Sequence, residues 1–284
     1  MARVILLMAL VSWPAVLMAQ PGSAQSPGAP GAKPTVFDAP LTTERIRLGT
    51  PRGEPAGKRE LACFHFAELR VKQLDLGEVG AAQLAILPYK PGAKRVVCQK
   101  KSAPGEIVIP ADTWSGYFAG VKAGYVFFEA DDGTNGGLGF AVFDGRTGAK
   151  LFSDLAVGDI RSAEPIEGGI KLSYRRALVG DCSIPVGGTS CWSEIVQHMP
   201  GVKAEPMPDC AAGYLKAKSD MARGRCEAQR DKSETCFQNE MKLLDEQKWD
   251  TAPSVIGYDV EALIKHTEQS VTATGDQLSC WPSD

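Results

Sequence analysis

Cysteine is the residue type whose number and spacing carry the clearest chemistry in this chain. The chain has eight cysteines, and an even number is typical of disulfide bonds in a secreted protein. A zinc site or a thioredoxin-like redox site would need a closely spaced Cys-x-x-Cys pair, whereas no two cysteines here are closer than Cys182 and Cys191. The residues expected in four structural disulfides are Cys63, Cys98, Cys182, Cys191, Cys210, Cys226, Cys236 and Cys280.

The segments between the cysteines indicate how they pair. A proline and a Gly-Gly pair lie between Cys182 and Cys191 and favour a reversal that closes a small ring. On one continuous helix Cys226 and Cys236 would be about 15 Å apart, beyond the about 7 Å between Cα atoms that a disulfide spans. They therefore pair only if the chain turns between them. The predicted bonds are Cys182–Cys191, Cys226–Cys236, Cys63–Cys98 and Cys210–Cys280.

The three histidines give no catalytic signature. His65 shares a strand face with Cys63, because alternate residues of a strand point the same way, and a Cys–His nucleophile pair is conceivable. A bridged Cys63 excludes it, since an oxidised sulfur is not a nucleophile. His198 is expected in a loop and His266 at the surface, and the sequence contains neither a G-x-S-x-G elbow nor an H-E-x-x-H motif.

One loop offers hard oxygen ligands. Asp131, Asp132 and Asn135, together with Asp144, could supply oxygens to calcium, which takes six to eight such ligands. The EF-hand spacing and its closing glutamate are missing. A glycine-rich hairpin turn explains the Asp-Gly and Asn-Gly-Gly sequences equally well, so we predict a turn and no metal site.

Composition is that of a folded domain with little net charge. Of the 284 residues 44% are hydrophobic and 23% are charged, and the formal net charge is -3. A mildly acidic chain lacks the basic surface that nucleic-acid binding requires, so we expect no nucleic-acid partner. No pattern indicates a cofactor, and we predict none.

The N-terminus has the pattern of a secretory signal peptide, with a basic start, an apolar core and small residues before the cleavage point. Arg3 precedes the apolar run 4–11, and Ala24 is the later of two candidate cleavage points. A spanning helix needs about 20 apolar residues, whereas Pro14 interrupts this run. We predict a signal peptide over residues 1–24, a periplasmic or secreted protein, and no stable membrane insertion after cleavage.

The remaining chain divides into three parts. Residues 25–58, rich in proline, glycine and alanine, have too few apolar side chains to offset the entropy of ordering and are expected to form a flexible leader. Short β-rich runs separated by Asp-Gly, Asn-Gly and Thr-Gly turns then predict antiparallel strands. Residues 209–248 are rich in helix-forming residues, with Asp209 as the N-cap. The predicted strands are 61–66, 83–89, 95–98, 106–109, 125–129, 138–143, 150–155, 170–178, 254–263 and 270–280.

These elements predict one β-rich domain over residues 59–284, all-β or α+β. Its architecture is an antiparallel sandwich or barrel with a disulfide-linked helical insertion. No motif indicates a reaction, and we expect a non-enzymatic envelope or secreted binding module for a protein, peptide or glycan ligand.

Two alternatives remain open. A hydrolase of an envelope or extracellular polymer would show a cleft with two facing carboxyls, one with a raised pKa. A secreted enzyme inhibitor would show a protruding, disulfide-braced loop such as 183–190.

Overall fold

Antiparallel β-strands form most of the secondary structure, as the sequence predicts. The structure is a computed structural model that describes residues 36–49, 59–90, 95–203 and 206–283. The β-rich fold class is confirmed, and its helical part is held by disulfides. The predicted signal peptide lies outside the described residues.

The first five strands form sheet A, in which each strand pairs with the next along the chain. All four pairings are antiparallel and continuous in register. The strands are β1 (Thr42–Arg47), β2 (Glu60–His65), β3 (Leu69–Asp75), β4 (Gln83–Pro88) and β5 (Ile107–Ile109).

The other nine described strands form sheet B. They are β6 (Tyr117–Lys122), β7 (Tyr125–Thr134), β8 (Gly137–Asp144), β9 (Lys150–Ala156), β10 (Ser162–Ile166), β11 (Gly169–Val179), β12 (Ser254–Lys265), β13 (Gln269–Ala273) and β14 (Ser279–Pro282). The order across the sheet is β13-β12-β11-β9-β8-β7-β6, with β10 paired to β11 and β14 paired to β12.

Three α-helices follow the main run of strands. They are α1 (Ile184–Val196), α2 (Cys210–Ala228) and α3 (Glu234–Glu246), followed by a 3₁₀ turn at Trp249–Thr251. Asp209 caps α2 by accepting from the Ala211 amide at 3.0 Å, and Ser233 caps α3 by accepting from the Cys236 amide at 3.1 Å. The helical part predicted from the sequence is thus a hairpin of two capped helices. No helix of the described residues is long and apolar enough to cross a bilayer.

Sheet B is buried on both faces at β7 and β8. Residues of sheet A pack against one face, and residues of α1 and α2 belong to the core on the other. β7 shows why: Phe128 belongs to the first core and Phe127 to the second, because successive side chains of a strand point to opposite faces. Both rings are fully buried, and burial of a side chain of this size stabilises the fold by about 1.5–3 kcal/mol.

All four predicted disulfides are confirmed. They join Cys63 to Cys98, Cys182 to Cys191, Cys210 to Cys280 and Cys226 to Cys236. The last bond links the end of α2 to the start of α3, so the chain turns between them as the pairing requires. Four disulfides are typical of a protein that works outside the cytoplasm in an oxidising compartment.

Three local expectations differ from the structure. Residues 95–98 form no strand; they cross the outer face of sheet A, where their carbonyl groups bind a buried arginine. β1 lies within the leader expected over residues 25–58, because backbone pairing with β2 orders a segment that composition alone did not favour. Residues 184–190 begin α1, kinked at Gly188, where the sequence predicts a loop.

Candidate functional site

The four residues considered for calcium do not come together. Asp131 and Asp132 lie near the end of β7 and Asn135 in the turn that follows, whereas Asp144 ends β8. Asp144 is paired with Tyr125 at the start of β7, so about 20 Å of strand separates it from Asp131. Within the described ranges, no group of three or more Asp, Glu, His or Cys side chains could hold a metal ion.

The turn between β7 and β8 packs against a tryptophan. The Asn135 carbonyl oxygen accepts a hydrogen bond from Trp281 Nε1 at 3.0 Å. A Cβ atom on Gly136 would lie 2.6 Å from Trp281 Nε1, and one on Gly257 of β12 would lie 2.8 Å from the same ring. The Trp281 side chain therefore needs glycine at both positions, which gives this part of the loop a packing role.

A hydrogen bond between Asp144 and His266 joins two turns. Asp144 Oδ1 accepts hydrogen bonds from the Arg146 and Thr147 amides at 2.9 and 2.7 Å, and Oδ2 lies 2.7 Å from His266 Nε2. Burial opposes ionisation of the carboxyl, but the bonds from Thr147, His266 and Arg146 outweigh it and lower the pKa of Asp144. His266 is half exposed, and His198 lies exposed after α1. Asp144 thus links the β8–β9 turn to the β12–β13 turn.

His65 is the buried link in a chain of three polar groups. Its ring is 1% exposed and lies between Glu44 Oε1, 2.6 Å from Nε2, and the Tyr89 hydroxyl, 2.9 Å from Nδ1. Burial raises the pKa of Tyr89, so the phenol stays protonated. Because Cys63 is bridged, the Cys–His nucleophile does not form. The buried imidazole ties β1 to β2 and to the end of β4.

A buried ion cluster lies next to His65. Arg70 and Lys72 of β3 and Glu106 have side chains that are at most 1% exposed. Arg70 NH2 lies 2.5 Å from Glu106 Oε2, and Lys72 Nζ contacts Glu106 Oε1. Two cations thus share one carboxylate inside the protein, an arrangement that depends on hydrogen bonds from other groups.

Those hydrogen bonds come from residues 95–106, here called the flap. Arg70 NH1 donates to the carbonyl oxygens of Val96 and Val97 at 3.0 and 3.1 Å, and Lys72 Nζ donates to that of Lys100 at 3.4 Å. Cys98 bonds the flap to β2. The flap is thus held by hydrogen bonds from two buried cations and by one disulfide, while Val97 is 72% exposed. Sequence reasoning missed this cluster, although Arg70 and Lys72 alternate with apolar residues along β3.

A second buried network spans sheet B. The Tyr174 hydroxyl donates to Asp154 Oδ2 at 2.5 Å, and Arg176 joins Asp154 at 3.0 Å to the Tyr258 hydroxyl at 3.2 Å. Burial raises the pKa of both phenols, so both stay protonated, and the Tyr258 hydroxyl accepts from Arg176. The four side chains hydrogen-bond one another across β9, β11 and β12, which fixes the pairing of these strands.

One carboxyl meets part of the requirement for a hydrolase. Partial burial, together with the nearby Asp159 carboxyl, raises the pKa of Glu129 on β7. Glu129 and Asp159 both have exposed side chains, and neither lines the cavity described next. The expected cleft with two facing carboxyls is therefore not formed around this pair.

A cavity of about 470 Å³ opens at one end of the sandwich, within the range of ligand sites, about 300–1,000 Å³. It lies between the β2–β3 turn, the β6–β7 turn and the segment that leads into β1. Asp38 at its rim accepts from Lys122 Nζ and the Ala123 amide, both at 2.9 Å, and Glu68 forms no ion pair with any described side chain. The lining residues used below are Phe66, Leu69, Val121, Leu41, Glu68 and Asp38.

β1 is an edge strand. Among the described strands it pairs with β2 alone, and five of its six residues are exposed. The Leu48 amide donates to the Arg59 carbonyl of the β2 side at 2.9 Å. Because inward and outward backbone groups alternate along an antiparallel strand, those of Thr43, Arg45 and Arg47 point away from β2.

No protein-family model, curated protein or solved structure gives a significant match to this chain.

Proposed function

We propose that the protein is an exported, non-enzymatic binding module that takes an extended peptide segment of a partner protein as an additional strand along β1. The observation that carries this proposal is the outer edge of β1, along which no other described strand pairs. A peptide bound there forms main-chain hydrogen bonds to the strand, and the side chains on either face give selectivity.

The free edge is regular and held in place. β1 contains no proline, and its pairing with β2 has no bulge. Glu44 binds the buried His65, and Thr42 Oγ1 accepts from Arg95 of the flap at 2.9 Å. A strand that is already ordered loses little entropy when a peptide binds, which favours affinity.

Pairing of β1 with a second copy of itself is disfavoured. Side chains on directly opposed residues share a face of the sheet, so the two registers that pair most of the strand place either Glu44 opposite Glu44 or Arg45 opposite Arg45. Like charges directly opposite each other destabilise a sheet. The charges therefore favour a partner of different sequence over a homodimer formed through this edge.

The face of β1 that carries Thr43, Arg45 and Arg47 selects acidic residues. Arg45 is ion-paired with Glu60 of β2, whereas Arg47 is exposed and has no ion-pair partner among the described residues. Side chains on one face of a strand are two residues apart. A peptide with acidic residues at alternate positions would place them opposite the two arginines.

The test uses two synthetic, acetylated octapeptides, one of alternating glutamate and valine and one of alternating lysine and valine. Binding is measured by fluorescence anisotropy with the wild-type protein and with Thr43→Pro, which removes an outward amide without removing a β1–β2 hydrogen bond. Thr43→Val, which keeps the amide, is the matched control. We expect the wild-type protein to bind the acidic peptide about tenfold more tightly than the basic one. Of the two variants, Thr43→Pro should abolish binding and Thr43→Val should not.

Two results would contradict the proposal. Equal binding of both peptides would show that the arginines do not select the ligand. Equal binding to Thr43→Pro and Thr43→Val would place the peptide away from the β1 edge, provided that both variants unfold in urea like the wild type.

A further inference from the structure

The cavity at the end of the sandwich opens where β1 begins. Leu41, the residue before β1, lines the cavity and is 61% exposed. A peptide antiparallel to β1 has its C-terminal end beside the start of β1. Residues that follow the paired segment of such a peptide therefore pass the opening of the cavity.

The floor of the cavity is apolar. Phe66, Leu69 and Val121 line it and are each less than 9% exposed, so they are held rigidly by the core between the sheets. An aliphatic chain lying on this floor would be removed from water at little cost in protein order.

The rim of the cavity is negative. Asp38 stays ionised, since the bonds from Ala123 and Lys122 outweigh the effect of burial and lower its pKa. Lys122 balances Asp38, and the exposed Glu68 carboxylate is left over. A ligand that complements this site has an aliphatic body and one cationic end.

We infer that the cavity binds an aliphatic chain that ends in an ammonium group, supplied by a lysine side chain on the C-terminal side of the bound peptide segment. The four-carbon stem of lysine lies along Phe66 and Leu69, and its ammonium meets Glu68. This chemistry is that of a side chain with an apolar stem and a charged head. The inference rests on the proposed function for the source of the lysine, but the cavity can be tested without a peptide.

The first experiment titrates the full-length protein with hexylamine and with hexanoate, followed by chemical shifts in the NMR spectrum. We expect hexylamine to shift Phe66, Leu69 and Val121, and hexanoate to do so at least about fivefold more weakly. Glu68→Gln should weaken hexylamine about threefold to fivefold. Glu167→Gln, an exposed glutamate in the β10–β11 turn, is the matched control and should leave binding unchanged.

The second experiment lengthens the acidic octapeptide at its C-terminus by a glycine and then a lysine or a norleucine. Lysine should improve binding about threefold over norleucine, and Glu68→Gln should remove that gain while leaving the norleucine peptide unaffected. If the peptides bind at the β1 edge but lysine gives no gain over norleucine, the cavity assignment is overturned and strand addition is retained. If hexylamine binds in a way that depends on Glu68 but no octapeptide binds, strand addition is overturned and the cavity is retained as a site for an aliphatic amine. Equal binding of hexylamine and hexanoate would sink the inference outright.

Discussion

Replacement of the buried Glu106 by glutamine should destabilise the protein far more than the same replacement of an exposed glutamate. Glutamine has the same size as glutamate and keeps an oxygen, but it removes the negative charge that Arg70 and Lys72 share. Both cations are buried, and a buried charge without a counter-ion is strongly unfavourable.

The size of the effect follows from the contacts that each cation keeps. Breaking a buried ion pair by removing one partner costs about 3–5 kcal/mol. In Glu106→Gln both cations keep carbonyl oxygens of the flap as hydrogen-bond acceptors, those of Val96 and Val97 for Arg70 and that of Lys100 for Lys72. We therefore expect a total loss within this range, about 3–5 kcal/mol.

Urea unfolding with intact disulfides, followed by tryptophan fluorescence, measures this loss. Glu246→Gln is the matched control, because Glu246 pairs with Lys242 at 3.9 Å on the surface of α3 and should change stability by less than about 0.5 kcal/mol. A loss below about 1 kcal/mol in Glu106→Gln, as for an exposed pair, would refute the argument that Glu106 neutralises buried cations.

Two further predictions concern the turns. In Asp144→Asn the difference in unfolding free energy from wild type should shrink below about pH 4, because the wild type loses the stability provided by the lowered pKa of Asp144 as its carboxyl becomes protonated; a difference that is constant from pH 7 to pH 2 would contradict this. Gly257→Ala should cost about 1–3 kcal/mol in urea unfolding, since its Cβ would lie 2.8 Å from the Trp281 ring. Gly224→Ala on the open side of α2, where no atom lies within 4 Å, should instead be neutral or stabilise by about 1 kcal/mol, and a similar loss in both would argue against the tryptophan contact.

Two of the four disulfides could be predicted because distance rules act on the sequence directly. Cys182 and Cys191 are separated by a turn-forming segment, and the helix rise forbids Cys226–Cys236 unless the chain reverses. Strand positions followed in the same way where hairpin turns bound them, as at the β7–β8 turn. In each case the signal lies within a few residues of the element that it predicts.

The ion cluster and the edge strand could not be predicted, because their causes are distant in the sequence. Glu106 neutralises cations more than thirty residues earlier in the chain. The sequence does not distinguish a buried charged residue from an exposed one. β1 forms because β2 pairs with it across a segment rich in glycine and proline. For the flap, the apolar run of Val96 and Val97 indicated a strand, whereas its carbonyl groups bind Arg70.

The outer face of sheet A shows how these long-range contacts bear on binding. Only its inner face contributes to the core shared with sheet B. Three groups on its outer side hold β1 and β2 instead: Glu44 bound to His65, the Cys63–Cys98 bond, and the ions beneath the flap. In the register of the sheet Glu44 lies opposite Cys63, Cys63 opposite Lys72, and His65 opposite Arg70. The contacts that brace β1 thus run sideways across the sheet, and no described group forms a hydrogen bond with the outward amide and carbonyl groups of Thr43, Arg45 and Arg47. A strand braced from one side is suited to receiving another strand on its free side.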